Sequence, residues 1–391
     1  MQHLTTRLDD AAFVIPLKVE RNYLFDAMRG LAAIMVVIYH VTERFGQEVA
    51  PRGYLAVDFF FILSGYFIAR VYEKRLVAGT TFWKFLSARL IRLYPAYFAG
   101  FALGMLWLIS RHFAKGSPDI KFVTIVGLFN GLMLPAPSGI NEMFPSNYPA
   151  WSLFAELVIN IVYAAGLFRL GSRNLIVLVV VCALVTIIQA VETGEGLRIG
   201  FTFQTIGIGL VRTVAAFGIG VLISRHPPRA VAPWFAAPSL AALLVALLLA
   251  RTGPALRPLA DIVCAYVAFP TLLWIGAVAS VPHAAERIGA WLGEMSYPLY
   301  TLHAPALIIA GGVGGGLHLP KAAILVMTFV LIATITTVYT RWMDRPARRW
   351  LGSVLQVQPS SDPKPNPPKS ADLPVTIIEP SSEATVLPRS S

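Results

Sequence analysis

Long apolar stretches separated by short basic turns recur from residue 24 to residue 341, and this pattern restricts the chain more than any other feature. A bilayer's hydrocarbon core is about 30 Å thick and takes about 20 apolar residues per helical crossing. Only 14% of the residues are charged and 56% are hydrophobic, whereas a soluble domain carries about 25% charged residues. Lipid is the solvent that suits such a chain. In hydrocarbon every backbone N–H and C=O must be satisfied internally, which leaves helices or closed barrels. The apolar runs lack the alternation a barrel needs, so the expected fold is all-α, a polytopic transmembrane helical bundle.

Ten spans are expected, at 24–43, 54–72, 93–110, 151–168, 174–191, 201–223, 233–250, 259–280, 297–313 and 321–341. A further apolar piece, 122–134, is too short to cross comfortably and reads as a short re-entrant or interfacial segment. The loop from Pro135 to Pro149, rich in Pro, Ser and Asn, needs protein or water to satisfy its irregular backbone. Residues 1–22 read as a cytoplasmic N-terminal segment, 23–350 as the membrane domain, and 351–391 as a disordered, Pro- and Ser-rich cytoplasmic tail. The first apolar stretch carries Asp26, Arg29 and His40 with no small-residue cleavage pattern after it, so it reads as a retained helix.

Charge sets the orientation. The net charge is +11, yet the basic residues sit in turns between apolar runs and form no separate aromatic-interleaved stripe, which argues against nucleic acid as a partner. With the N-terminus cytoplasmic, ten spans put 22 of 32 basic residues inside and nine outside, with Arg212 in a span. Counting 122–134 as a crossing moves the basic turns after 151–168 to the wrong side. Both termini are therefore expected in the cytoplasm, with the bacterial inner membrane as the setting. Cys182 and Cys264 lie in apolar runs without ligand spacing, and no metal site is expected.

Polar side chains inside spans are costly, so they mark candidate sites. Arg29 and His40 are eleven residues apart, three turns plus about 20°, hence on one face and about 16 Å apart along the axis. Asp58 and Gly65 share a face of the second span, where Ser64 and Gly65 permit close helix approach. Arg89 and Arg92 lie one turn apart, a cationic patch suited to phosphate or to ordinary anchoring. Trp151 opens the fourth span, and Ser152 and Glu156 are an i, i+4 pair within it. Ser296, Tyr300 and His303 form a polar stripe on the ninth span. Each has a bland alternative in packing or snorkelling. Arg212 and Asp261 are further intramembrane charges that could simply pair.

Six motifs in order over residues 22–350 resemble the acyltransferase-3 family of membrane acyltransferases, found mainly in bacterial surface-polysaccharide modification. They are Arg29 and His40 with ten residues between them, Phe60-Phe61-Ile-Leu-Ser64-Gly65, Arg89-Leu-Ile-Arg92-Leu-Tyr94-Pro95, Trp151-Ser152-Leu-Phe-Ala-Glu156, Ser296-Tyr297 through His303, and Asp344-Arg345-Pro346. Departures are small: Ala27 and Met28 stand where relatives often have Gly and an apolar residue, and Asp344 where Glu is common.

The resemblance implies an O-acyltransferase that uses cytoplasmic acyl-CoA, usually acetyl-CoA, as co-substrate, with no bound cofactor. The acceptor it implies is a sugar hydroxyl on a lipid-linked or growing glycan; membrane lipid and glycan-assembly proteins are the other expected partners. On that basis His40 takes the hydroxyl proton or carries the acyl group, the two remaining open, with Arg29, Glu156 and His303 as further catalytic candidates. Arg89 and Arg92, with Arg29, are the candidates for the CoA phosphates. Asp58, Ser64, Trp151, Ser152 and Tyr300 are the candidates for substrate contact, Tyr300 or Ser64 also for oxyanion stabilisation. The competing readings are a transporter or flippase and a scaffold for an envelope assembly.

Overall fold

The computed structural model describes residues 21–355 except 230, 231 and 234; the expectations for the N-terminal segment up to residue 20 and for the tail from 356 fall outside the described residues. The order is α1 (Tyr23–Arg44), α2 (Ala56–Ile68), α3 (Lys74–Val77), α4 (Phe82–Lys115), α5 (Ile120–Gly131), α6 (Trp151–Ala165), α7 (Ser172–Thr193), α8 (Ile206–Arg225), α9 (Ala236–Leu249), α10 (Arg257–Val263), α11 (Phe269–Gly276), α12 (His283–Gly316), α13 (Lys321–Val338) and α14 (Asp344–Val354). No β-strand occurs among the described residues, only two isolated bridges. The chain is an all-α integral membrane protein.

Eight of the described helical segments are long and apolar enough to cross a membrane. Two expected spans fall outside those eight: 233–250 corresponds to α9, a helix of 14 residues, and 297–313 lies inside the 34-residue α12.

Local chemistry explains the boundaries. Asn22 caps α1 by accepting from the Phe25 N–H at 3.0 Å, and Thr81 caps α4 in the same way through Lys84. Gly116 ends α4 in the left-handed conformation. Wider π turns, Cys264–Ala268 and Tyr339–Met343, precede Pro270 and Pro346. A proline ring clashes with the carbonyl four residues back, and that carbonyl belongs to the π turn in both cases.

The centre is a parallel pair, α1 against α12. Asp26 meets Gly293, Arg29 meets Ser296 and His40 meets His303, so both helices run the same way. A Cβ on Gly293 would sit 2.7 Å from the Asp26 side chain, so only glycine lets the helices meet there. A second parallel pair joins α2 to α8, closed by Gly65, whose Cβ would lie within 3 Å of the Phe217 backbone. This is the close approach expected around Ser64 and Gly65. α7 and α13 are the least buried, and Ile176, Val180, Leu184 and Ile188 form an exposed apolar row on α7 at helical spacing, a face suited to lipid.

α5 behaves as a re-entrant piece. Its 12 residues span about 18 Å, short of a crossing. It runs antiparallel beside α4, Gly127 at Met105 and Gly131 at Phe101, and the loop then turns back so that Ser146 packs on Gly104. α6 consequently runs opposite to α4, with Glu156 reaching Arg89. Several of the loop's polar groups are met inside protein, in keeping with irregular backbone at membrane depth. Buried Asn130 donates to the carbonyls of Leu134 and Met143, both at 3.0 Å, and accepts from Ser146. Asn147 donates to the Thr301 carbonyl at 2.8 Å.

Candidate functional site

The same-face expectation for Arg29 and His40 holds, because both point at α12. They nevertheless serve two different environments. Arg29 donates to Ser296 Oγ at 2.9 Å, to the Gly293 carbonyl at 2.9 Å and to Asp26 at 3.0 Å. Around it gather the charges of Arg92, Arg348, Glu156 and Asp26. Arg92 is exposed, whereas Arg89 is buried and donates to Glu156 at 3.1 Å. Ser64 donates to the same Glu156 oxygen at 3.0 Å. The two arginines expected to act as one patch thus divide: Arg89 is committed to Glu156, and Arg92 keeps an open guanidinium.

Three turns further along α1, His40 lines a cavity of about 380 Å³, within the range of small-ligand sites. Arg29 does not line it. Trp151 and Tyr300 do, together with Tyr39, Tyr148, Phe144 and Arg198. Two loops provide much of the wall, 135–149 through Phe144 and Tyr148 and the 194–205 loop through Arg198. An isolated bridge from Glu142 to Thr202 ties the loops together. The His40 ring lies edge-on to Tyr148, centroids 4.9 Å apart, and parallel to His303, centroids 5.4 Å apart with 23° between planes.

His303 is fully buried. Its Nδ1 contacts the carbonyls of Tyr300 at 2.8 Å and Leu299 at 3.2 Å. A carbonyl accepts only, so Nδ1 carries a proton, and in the neutral ring Nε2 then holds the lone pair. That Nε2 has no hydrogen-bond partner among the described residues. Tyr300 Oη and Ser152 Oγ are hydrogen-bonded at 2.7 Å, and each lies within reach of the Pro149 carbonyl, which accepts from whichever hydroxyl does not donate to the other. The polar stripe of α12 therefore joins three places: Ser296 holds Arg29, Tyr300 holds Ser152 and His303 backs His40.

Asp58 has another environment. Arg212 grips both of its oxygens, Nε at 2.6 Å on one and Nη2 on the other, and also donates to the carbonyls of Leu197 and Ile199. Each ion is buried, and the bidentate fork gives both carboxylate oxygens a charged partner. Arg212 and Asp261 do not pair with one another. Asp261 accepts from Tyr54 at 2.6 Å and from the Leu197 N–H at 3.0 Å. Sequence reasoning missed Tyr148, Glu43 and Arg198, because they lie at a span's edge or in loops with no periodicity. The Pro- and Asn-rich run before Pro149 was the available signal for Tyr148.

The sequence model of a family described as an acyltransferase domain matches residues 22–342. Over 189 residues the chain is 38% identical to "Protein 2 in picA locus" of Rhizobium radiobacter, covering 44% of this chain and 96% of that one. Over 309 residues it is 27% identical to the "Exopolysaccharide production protein ExoZ" of Rhizobium meliloti (strain 1021), covering 76% of this chain and 91% of that protein. No solved structure matches significantly.

Proposed function

Because the chain belongs to the acyltransferase-3 family, we propose that it transfers an acyl group, of acetyl type, from cytoplasmic acyl-CoA to a sugar hydroxyl of a lipid-linked or surface glycan. The observation that carries this reading is His40, lining a ligand-sized cavity with a parallel, tautomer-fixed imidazole behind it. The printed name of the Rhizobium meliloti relative, an exopolysaccharide production protein, favours a glycan acceptor.

In this reading the acceptor sugar enters the aromatic-walled cavity with one hydroxyl at His40. The hydroxyl oxygen attacks the thioester carbonyl carbon, its proton passes to His40, the C–S bond breaks, and the CoA thiolate takes the proton back. A covalent acyl-His40 intermediate divides the same exchange into two transfers. Arg92 and Arg29, with Arg348 nearby, are the cations for the CoA phosphates. Arg89 and Glu156 hold that end in shape. His303 keeps the His40 ring in its plane, and Tyr300 with Ser152 fixes the cavity wall below it. Arg29 is at the N-terminal end of α1 and His40 three turns away, about 16 Å along the axis. In this reading the donor arrives from the cytoplasm and the acceptor occupies the far half of an inner-membrane protein with cytoplasmic termini. The excess of basic residues on the inner turns supports that orientation.

Mass spectrometry of the host's surface glycans with and without the gene tests the proposal. Loss of an acyl-sized mass from one sugar, restored by the wild-type gene and not by His40→Ala, is the expected result. Unchanged glycans, with CoA-independent flux of a solute instead, would favour a transporter.

A further inference from the structure

A second, smaller pocket of about 120 Å³ adjoins the His40 cavity and shares Tyr39, Glu43, Tyr54 and Arg198 with it. Its other charged lining residues are Arg52, Arg251, Arg257 and Glu48. Four guanidinium groups thus line it with two carboxylates, and two more carboxylates stand behind the lining, Asp261 at 3.7 Å from Arg52 and Glu195 at 3.8 Å from Arg257. Arg198 stands at the junction: it donates to Glu43 at 2.6 Å, and its guanidinium lies over the rings of Tyr39 and Tyr54 at 5.9 and 5.8 Å.

Three of the four arginines have a carboxylate within 4 Å, but the hydrogen bonding of the group is incomplete. Arg52 is 6% exposed and donates to Thr252 at 2.9 Å, yet its buried Nε has no hydrogen-bond partner among the described residues. It faces an Asp261 oxygen that also lacks a hydrogen bond among the described residues, 3.7 Å away, an ion pair too long for a hydrogen bond. The other Asp261 oxygen is already occupied by Tyr54 and Leu197. Arg251 has no carboxylate partner among the described residues and donates only to the Glu48 carbonyl, at 2.6 Å. A buried donor without an acceptor is costly, and a guanidinium fork suits planar or tetrahedral oxyanions. The pocket has room for a phosphate or carboxylate but not for a sugar residue, and it communicates with a cavity that does have such room.

We infer that this pocket binds an anionic group of the acceptor, phosphate or carboxylate, next to the sugar that receives the acyl group. The inference rests on the reading that the acceptor sugar enters the His40 cavity. A phosphate would come from the linkage of a lipid-bound glycan, a carboxylate from an acidic sugar within it. Selection of charged over neutral acceptors follows, because a neutral glycan leaves Arg251 without an anion.

The test uses the full chain in detergent with two probes, inorganic pyrophosphate and glucuronate, whose binding is followed by calorimetry. At least one probe binds the wild type, and the preferred one identifies the source of the anion. Arg251→Gln, at an exposed position, and Arg52→Gln weaken that binding about tenfold or more, the effect of one lost charge-assisted hydrogen bond. Arg251→Lys restores part of it. In transfer assays the same variants raise KM for an anionic acceptor and leave KM for acyl-CoA and for a matched neutral glycoside unchanged. Absence of binding by both probes, or equal binding by wild type and Arg251→Gln, overturns the inference. If Arg52→Gln does not fold, Arg251→Gln decides. Should no acceptor be acylated while a probe still binds in an arginine-dependent way, the transferase reading fails and the anion pocket stands.

Discussion

His303 lies parallel to His40, ring centroids 5.4 Å apart, with its Nδ1 bonded to backbone carbonyls and its buried Nε2 without a partner among the described residues. An imidazole held this way cannot rotate freely, so it fixes the plane of its neighbour. Replacing it should disturb the orientation of His40 more than the fold. We expect His303→Asn to lower kcat by about 10²-fold, the usual cost of a misplacement of about 1 Å, with KM for acyl-CoA little changed. Steady-state kinetics on protein with wild-type melting behaviour checks this. An equal fall in melting temperature and activity would assign His303 to packing alone.

Glu156 and Arg89 form a pair with little exposure, 18% and 7% of their side chains. Removing one partner leaves a charge in a poorly solvated place, at a cost of about 3–5 kcal/mol for a fully buried pair and less here. Arg89→Ala and Glu156→Ala should each destabilise the protein, and the double variant should lose less than the sum. A thermal-unfolding mutant cycle measures the coupling. Additivity within error would mean the pair does not hold the donor end together.

Asp58 is bound on both oxygens by Arg212, whose remaining donors hold the carbonyls of Leu197 and Ile199. The pair therefore anchors the 194–205 loop that walls the His40 cavity. Asp58→Asn should raise the rate of limited proteolysis within that loop and reduce transfer through loss of the cavity wall. A variant with wild-type protease resistance and a raised acceptor KM would instead make Asp58 a direct substrate contact.

Gly65 leaves no room for a Cβ against the Phe217 backbone. Since that neighbour is main chain, it cannot yield cheaply, and Gly65→Leu should cost about 2 kcal/mol or more by overpacking. The yield of folded protein in detergent reports it, and a wild-type yield would show that α2 and α8 can separate.

Much of this was legible from spacing. Helical periodicity placed Arg29 and His40 on one face, and the stripe Ser296, Tyr300, His303 on another; the structure presses the two faces together. The length of 122–134 and the polar loop after it foretold a segment that enters and turns back. Partner identity was not legible. Asp58 meets Arg212 across 154 positions and Glu156 meets Arg89 across 67, and no local period encodes such pairings. The division of Arg89 from Arg92 depends on which faces Glu156, a matter of helix rotation. Trp151 and Tyr300 of the cavity wall were legible, whereas Tyr148 and Arg198 were not, because they belong to loops whose course is set by tertiary contacts such as the Glu142–Thr202 bridge.

The most direct measurement is transfer of labelled acetyl from acetyl-CoA to a glycan acceptor by purified wild-type and His40→Ala protein at equal folded concentration. The wild type should label the acceptor, and His40→Ala should fall by at least about 10²–10⁴-fold, the contribution of a positioned acid–base group. Undiminished labelling by His40→Ala would contradict the account, because the cavity's imidazole would then have no part in moving the acyl group.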